Sequence, residues 1–194
     1  WDLEAPGLER FFPVNHQEVL RRDGVIDMLL DYKERITKKL ELDEKGEFPF
    51  LKPTADLTID LKPEPHNKKT EDRSLRLLTA GNRSTAEFVN YAHAVITFDW
   101  QDFYENWKGE HYFEWLRQQL IATADIVLID SRTGVTEMGG VCTYQLADVV
   151  IMFCGTNDQN LNGTREMAER FGGEGVVEAR NNRPLHRIVV PARF

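Results

Sequence analysis

The run Ala124-Asp125-Ile126-Val127-Leu128-Ile129-Asp130 constrains this chain more than any other stretch. Its four consecutive aliphatic residues leave no polar side to turn toward water. A strand buried on both faces of a parallel sheet reads this way. Two further runs share that character, Asp148 to Cys154 (DVVIMFC) and Arg187 to Val190 (RIVV). Between them Asn160 to Phe171 has a helical pattern and closes on Gly172-Gly173, a C-cap signal. Alternating strands and helices predict an α/β fold: a doubly wound, mostly parallel sheet with helices on both faces.

A chain of 194 residues is long enough to bury a real core, and the whole is read as a single domain, 1–194. Its net charge of -8 repels phosphate backbones unless basic residues cluster, which disfavours DNA as a partner. No apolar run of about 18 residues is present, so no membrane span is expected. Cys142 and Cys154 form no CxxC and read as small buried residues rather than a disulfide framework. The five histidines show no metal-binding spacing.

Elsewhere, Gln17 to Leu40 is read as helical with an interruption at Gly24. Residues 41–72 are polar and Pro-rich and are read as a surface excursion or lid, with a short strand at Asp56 to Leu61. Ser74 to Thr79 reads as a strand and Thr85 to Phe98 as partly helical. Asp99 to Thr123 reads as one strong helix, its stripe of Phe103, Trp107, Phe113 and Trp115 being core packing.

Chemistry is expected where the first run ends. Asp130 closes a strand and is followed at once by Ser131, Arg132, Thr133 and Gly134. In open α/β sheets ligands bind at the carboxyl edge of the strands. A carboxylate there suits Mg²⁺, which keeps several waters and needs few protein oxygens. The glycine turn would let backbone amides approach a phosphate. The same aspartate can instead cap the next helix. The opening residues offer a second strand-end carboxylate, Asp2, before the bend at Pro6-Gly7.

Together and in this order, DLEAPGLERFF, SLRLLTAG, DIVLIDSRTGVTEMGG, QLADVVIMFCGTNDQNLNGTREMAERF and HRIVVPARF resemble the ParA/MinD-type ATPases, the deviant-Walker branch of the P-loop NTPases. The likeness covers most of the chain except residues 41–72. It is nearest to bacterial members whose P-loop reads Lys-Gly-Gly-Val-Gly-Arg. The resemblance implies a cytoplasmic switch domain that binds ATP and Mg²⁺, forms a nucleotide-dependent homodimer and acts on a protein partner. It implies Asp130 as the Walker B carboxylate on the metal and Asp2 as the group that positions the attacking water and the hydrated ion. Thr133 and Gly134 match the switch II turn, and Arg132 stands where Pro is common nearby. Glu4 falls where many members have Gln. Asn157, Pro191 and Arg193 lie where base contacts form. No G-x-x-x-x-G-K-[ST] occurs, so the resemblance also implies a P-loop unit preceding Trp1. The alternative is a non-catalytic NTPase-like scaffold or signalling module that binds a protein partner.

Two geometric expectations follow. Right-handed crossovers put all parallel carboxyl ends on one edge. Asp2 and Asp130 are therefore expected at that edge, within roughly 10 Å, with Val127 and Ile129 exposed along an empty strand slot. Without a phosphate cradle, the 194-residue chain is expected to show no micromolar affinity for Mg²⁺-ATP. Isothermal titration checks this, and micromolar binding would contradict it.

Overall fold

A computed structural model describes residues 2–37, 54–61, 74–131 and 141–192. The chain forms two compact units, Trp1–Arg132 and Thr133–Phe194.

The first unit opens with a 3-10 turn, Leu8–Phe11, and a short helix α1, His16–Val19. The chain breaks at Gly24, as its sequence suggests, and α2 runs Val25–Thr37. Val25, Ile26, Met28, Leu29 and Tyr32 are buried, the spacing of a single helical face. Helix α3, Thr54–Leu57, leads directly into β1, Thr58–Leu61. This strand pairs antiparallel with β2, Leu75–Leu78, with Thr58 opposite Leu78 and Leu61 opposite Leu75. Within the stretch read as a surface excursion, Thr54 and Leu61 are thus buried and Thr58–Leu61 is part of a sheet. Helices α4, Phe88–Thr97, α5, Trp100–Asn106, and α6, Gly109–Thr123, follow.

The single helix expected over Asp99 to Thr123 is two. Lys108 takes a left-handed conformation (φ 54°), which no helix continues through. The break lets α6 turn back so that its aromatic residues meet those of α5. Phe103, fully buried, has its ring within 6 Å of those of Phe98, Tyr32, Tyr112 and Phe113. Tyr32 Oη donates to the carbonyl of Trp107 at 2.7 Å, and Trp107 Nε1 donates to Asp102 at 2.7 Å. Lys33 Nζ lies 4.7 Å from the centre of the Trp107 ring and 3.2 Å from Asp102. The break is thereby sealed by polar contacts over an aromatic core.

The second unit holds a π-helical turn, Val141–Leu146, then β3, Val149–Gly155, α7, Asp158–Phe171, α8, Glu174–Ala179, and β4, His186–Ala192. Strands β3 and β4 pair in parallel, from Val149 opposite His186 to Gly155 opposite Ala192. Met152 and Cys154 are buried, whereas Val149, Ile151 and Phe153, which alternate with them along the strand, are exposed. Arg180 is 1% exposed and donates to the carbonyls of Thr143, Tyr144, Ala147, Arg183 and Pro184. It ties the turn before β3 to the approach of β4 by satisfying carbonyls that the turn leaves open.

The doubly wound parallel sheet expected from the sequence is not formed. Among the described residues there are two separate two-stranded sheets, one antiparallel and one parallel. Ala124 to Asp130 lies outside both, with Ile126 79% and Leu128 84% exposed. Apolar side chains are necessary for a buried strand but not sufficient. Its amides and carbonyls also need partner strands, and none pairs with this run among the described residues.

Phe103→Ala is expected to lower the stability of the first unit by about 3–5 kcal/mol, the usual cost of emptying a buried aromatic site. Urea denaturation followed by tryptophan fluorescence checks this. All four tryptophans lie in the first unit, so the signal reports on it alone.

Candidate functional site

The first amides of a helix need acceptors from outside it. For α2 they come from the end of β2: Val25 N–H donates to the Thr79 carbonyl at 2.9 Å and Ile26 N–H to the Ala80 carbonyl at 3.0 Å. The approach is so close that a Cβ on Gly24 would stand 2.2 Å from the Thr79 carbonyl oxygen. Gly81 is in the positive-φ region (151°), and a Cβ there would meet Ile26 Cγ2 at 2.5 Å. Asp27 Oδ2 completes the junction by accepting from Gly24 N–H at 2.8 Å and Asn82 N–H at 2.9 Å. Burial pushes the Asp27 carboxyl up. The Gly24 and Asn82 amides oppose that shift, and the nearby Asp23 charge adds to it.

The same loop reaches the opening segment. Arg83 N–H donates to the Leu20 carbonyl at 2.8 Å and its Nη1 to the Pro6 carbonyl at 3.2 Å. Its Nη2 pairs with Glu9 at 3.1 Å, both side chains being more than nine-tenths buried. From α4, Tyr91 Oη donates to the carbonyl of Leu3, a residue 1% exposed. Burial pushes the Tyr91 phenol up to about 12. The positive charge of Arg83 acts against this, and the negative charges of Asp27, Asp2 and Glu9 act with it. The Asp2 carboxylate accepts from Ala5 N–H at 3.0 Å and remains half-exposed. Asp2 therefore stands at the rim of a built loop.

The other residues singled out in the sequence are dispersed. Asp130 is exposed on the segment outside the sheets. Neither it nor Asp2 ends a strand, so the shared sheet edge is absent among the described residues. Val127 is 41% exposed and Ile129 half-buried, but Ile126 and Leu128 are still more open. Exposure on both sides is that of an unpaired run, not of a slot in a sheet. Asn157 caps α7, its side chain accepting from Asn160 N–H at 2.9 Å. Pro191 lies in β4 opposite Cys154. Glu4 is exposed. Arg132, Thr133, Gly134 and Arg193 lie outside the described residues.

Sequence reading missed Glu9, Asp27, Arg83 and Tyr91. Asp27 carries a local signal, an acidic residue at the third helical position bonding back to the amide before the helix. Arg83 carries none, because Pro6 and Glu9 lie more than 70 positions away. A cleft of about 100 Å³ beside the β2–α2 junction is lined by Asp23, Asp27, Asp31, Tyr112 and Trp115 among others, and includes none of the residues the resemblance assigns to nucleotide or metal. Asp31 there is paired with Arg35 at 2.7 Å. Among the described residues no three His, Cys, Asp or Glu side chains are grouped to hold a metal ion, and no helix is long and apolar enough to cross a membrane. Comparison with family models, curated proteins and solved structures finds no match to this chain.

Two substitutions separate the charge of Asp27 from its role as acceptor. Asp27→Ala strands the Gly24 and Asn82 amides and is expected to cost about 1–3 kcal/mol. Asp27→Asn keeps an acceptor and removes the titration. The native carboxyl holds its proton more tightly than the unfolded one. Wild-type stability relative to Asp27→Asn should therefore rise as pH falls through the raised native pKa, and level off below the ordinary value of 3.8. Denaturation midpoints of the three proteins between pH 3 and 8 (roughly the range around a carboxylate pKa) check both statements.

Proposed function

We propose that this chain is part of an ATP-dependent switch domain of the ParA/MinD type, in which Asp130 serves a hydrated Mg²⁺ and Asp2 positions the attacking water. The observation that carries the reading is the β3–α7–β4 unit. It is parallel, follows Ala147-Asp148 and ends at Pro191-Ala192, in the order the resemblance requires after DIVLIDSRTGV. Asp130 is solvent-exposed, and a single carboxylate at the surface is the kind of donor Mg²⁺ takes while keeping most of its waters. Such an ion, when bound, neutralises charge on the phosphates. In this reading Asp2 orients water from its place on the held loop, and Thr133 and Gly134 are the residues that the resemblance assigns to switch II, near the terminal phosphate. Reactions of this kind proceed by positioning and electrostatics, so the reading also requires a phosphate-binding loop from outside these 194 residues. Dimerisation around the nucleotide and a protein partner belong to the same reading.

A second reading rests on a different observation. The outer face of β3 is apolar and bare, with Val149 47%, Ile151 51% and Phe153 68% exposed. Such a face suits a non-catalytic module that binds a protein.

The two readings part in a longer polypeptide that carries a phosphate-binding loop. There Asp130→Ala is expected to weaken Mg²⁺-ATP binding by about tenfold or more, the scale of one lost charged contact. Asp2→Ala should leave binding intact and lower turnover by roughly 10²- to 10⁴-fold. Equal loss of binding in both variants would refute the division of roles. No ATP binding by the unmutated polypeptide would favour the second reading.

A further inference from the structure

We propose that Arg83 is a positioning residue: it fixes the Asp2–Glu9 loop on the body of the first unit and so sets where the Asp2 carboxylate stands. Its meaning for turnover rests on the reading of Asp2 given above, but the placement itself does not.

Within the loop, Ala5 N–H bonds to the Asp2 carboxylate, and Arg10 N–H and Phe12 N–H make the 3-10 turn. Beside the burial of Leu3, two side chains tie the loop to the body. Tyr91 takes the Leu3 carbonyl, and Arg83 takes both the Pro6 carbonyl and Glu9. Arg83 is itself anchored by its backbone, through its amide to the Leu20 carbonyl, and by Asn82 beside it, whose amide is held by Asp27. The guanidinium is thus a rigid bracket with a short run of fixed backbone behind it. It meets the loop at two points, Pro6 and Glu9, three positions apart.

A buried ion pair adds little net stability over an apolar pair of similar volume, because desolvating both charges offsets their attraction. What a planar fork supplies is geometry. One Nη donates to the Pro6 carbonyl while the other stands against the Glu9 carboxylate as an ion pair, so the guanidinium holds the loop at both places at once. An apolar pair would fill the same space and let the loop slide. The Glu9–Arg83 pair is therefore better explained by the placement of the loop than by the stability of the fold.

Hydrogen exchange on the 194-residue chain tests placement without nucleotide. Arg83→Met combined with Glu9→Met leaves no stranded charge. It is expected to raise exchange of the Ala5 amide by about tenfold or more, the effect of losing roughly one charged hydrogen bond. The amides of Phe103 and Phe113 should be unchanged. Unchanged exchange at Ala5, or a parallel rise at Phe103 and Phe113, would overturn the proposal. Arg83→Lys, which keeps the charge without the fork, gives a second check, with a partial rise expected at Ala5 and none as the contrary result.

Kinetics then test whether placement acts through Asp2. In the longer ATP-hydrolysing polypeptide, Arg83→Met should lower kcat with KM for ATP unchanged, and have no further effect once Asp2 is alanine. Additive losses in the double variant would mean that Arg83 does not act through Asp2. A polypeptide that hydrolyses no ATP would remove the switch reading, while the exchange result would still decide the placement.

Discussion

The meeting of β2 with the first turn of α2 holds the first unit together. The amides of Val25 and Ile26 find their acceptors in the Thr79 and Ala80 carbonyls, and Asp27 takes the amides of Gly24 and Asn82. The contact is backbone on backbone, which is why Gly24 and Gly81 have no room for a side chain. It couples the β1–β2 hairpin to the helix that carries Tyr32 into the aromatic core. It also fixes Arg83, two residues beyond Gly81, which holds the opening segment. Sheet, core and candidate loop thus share one short run of chain.

Legibility in the sequence followed the range of the interaction. The Gly24 break, the Leu75–Leu78 strand, the end of α7 at Gly172 and the two strands of the second unit were all marked by local residues. Cys154 is buried, as a small apolar residue should be. The break at Lys108 was not legible, because its cause is the return of Tyr112 and Phe113 onto Phe103, a tertiary demand that overrides helical periodicity. Ala124 to Asp130 misled for the complementary reason. Four aliphatic side chains state what a segment would bury, but they do not supply the neighbouring backbone. The loop around Asp2 could be suspected from its composition, but its supports, Arg83 and Tyr91, lie about eighty positions away and leave no pattern beside it.

Of the two carboxylates at the centre of the functional reading, one lies on a loop held by several described contacts and the other on an exposed segment. Asp2 sits on a loop gripped at Leu3, Pro6 and Glu9 by groups that are themselves fixed. Asp130 sits on an exposed run that pairs with no strand among the described residues. A group that orients water must be held closely, since a misplaced nucleophile loses much of the advantage of proximity. A ligand to a hydrated ion tolerates more freedom, because water completes the coordination.

The bare run Ile126 to Ile129 also bears on how the chain behaves at high concentration. It is a short, uncharged window of strand-favouring residues with side chains exposed on both sides and, among the described residues, no strand paired with its backbone. A window of this kind can template pairing with an identical segment from another molecule, the first step toward cross-β stacking. Asp125 and Asp130 bracket it, one at each end. In parallel, in-register stacking each would lie directly against its own copy, placing like charges strand after strand along the growing edge. The two aspartates that bracket the run are thus placed as gatekeepers against self-assembly, and replacing either one would weaken that protection.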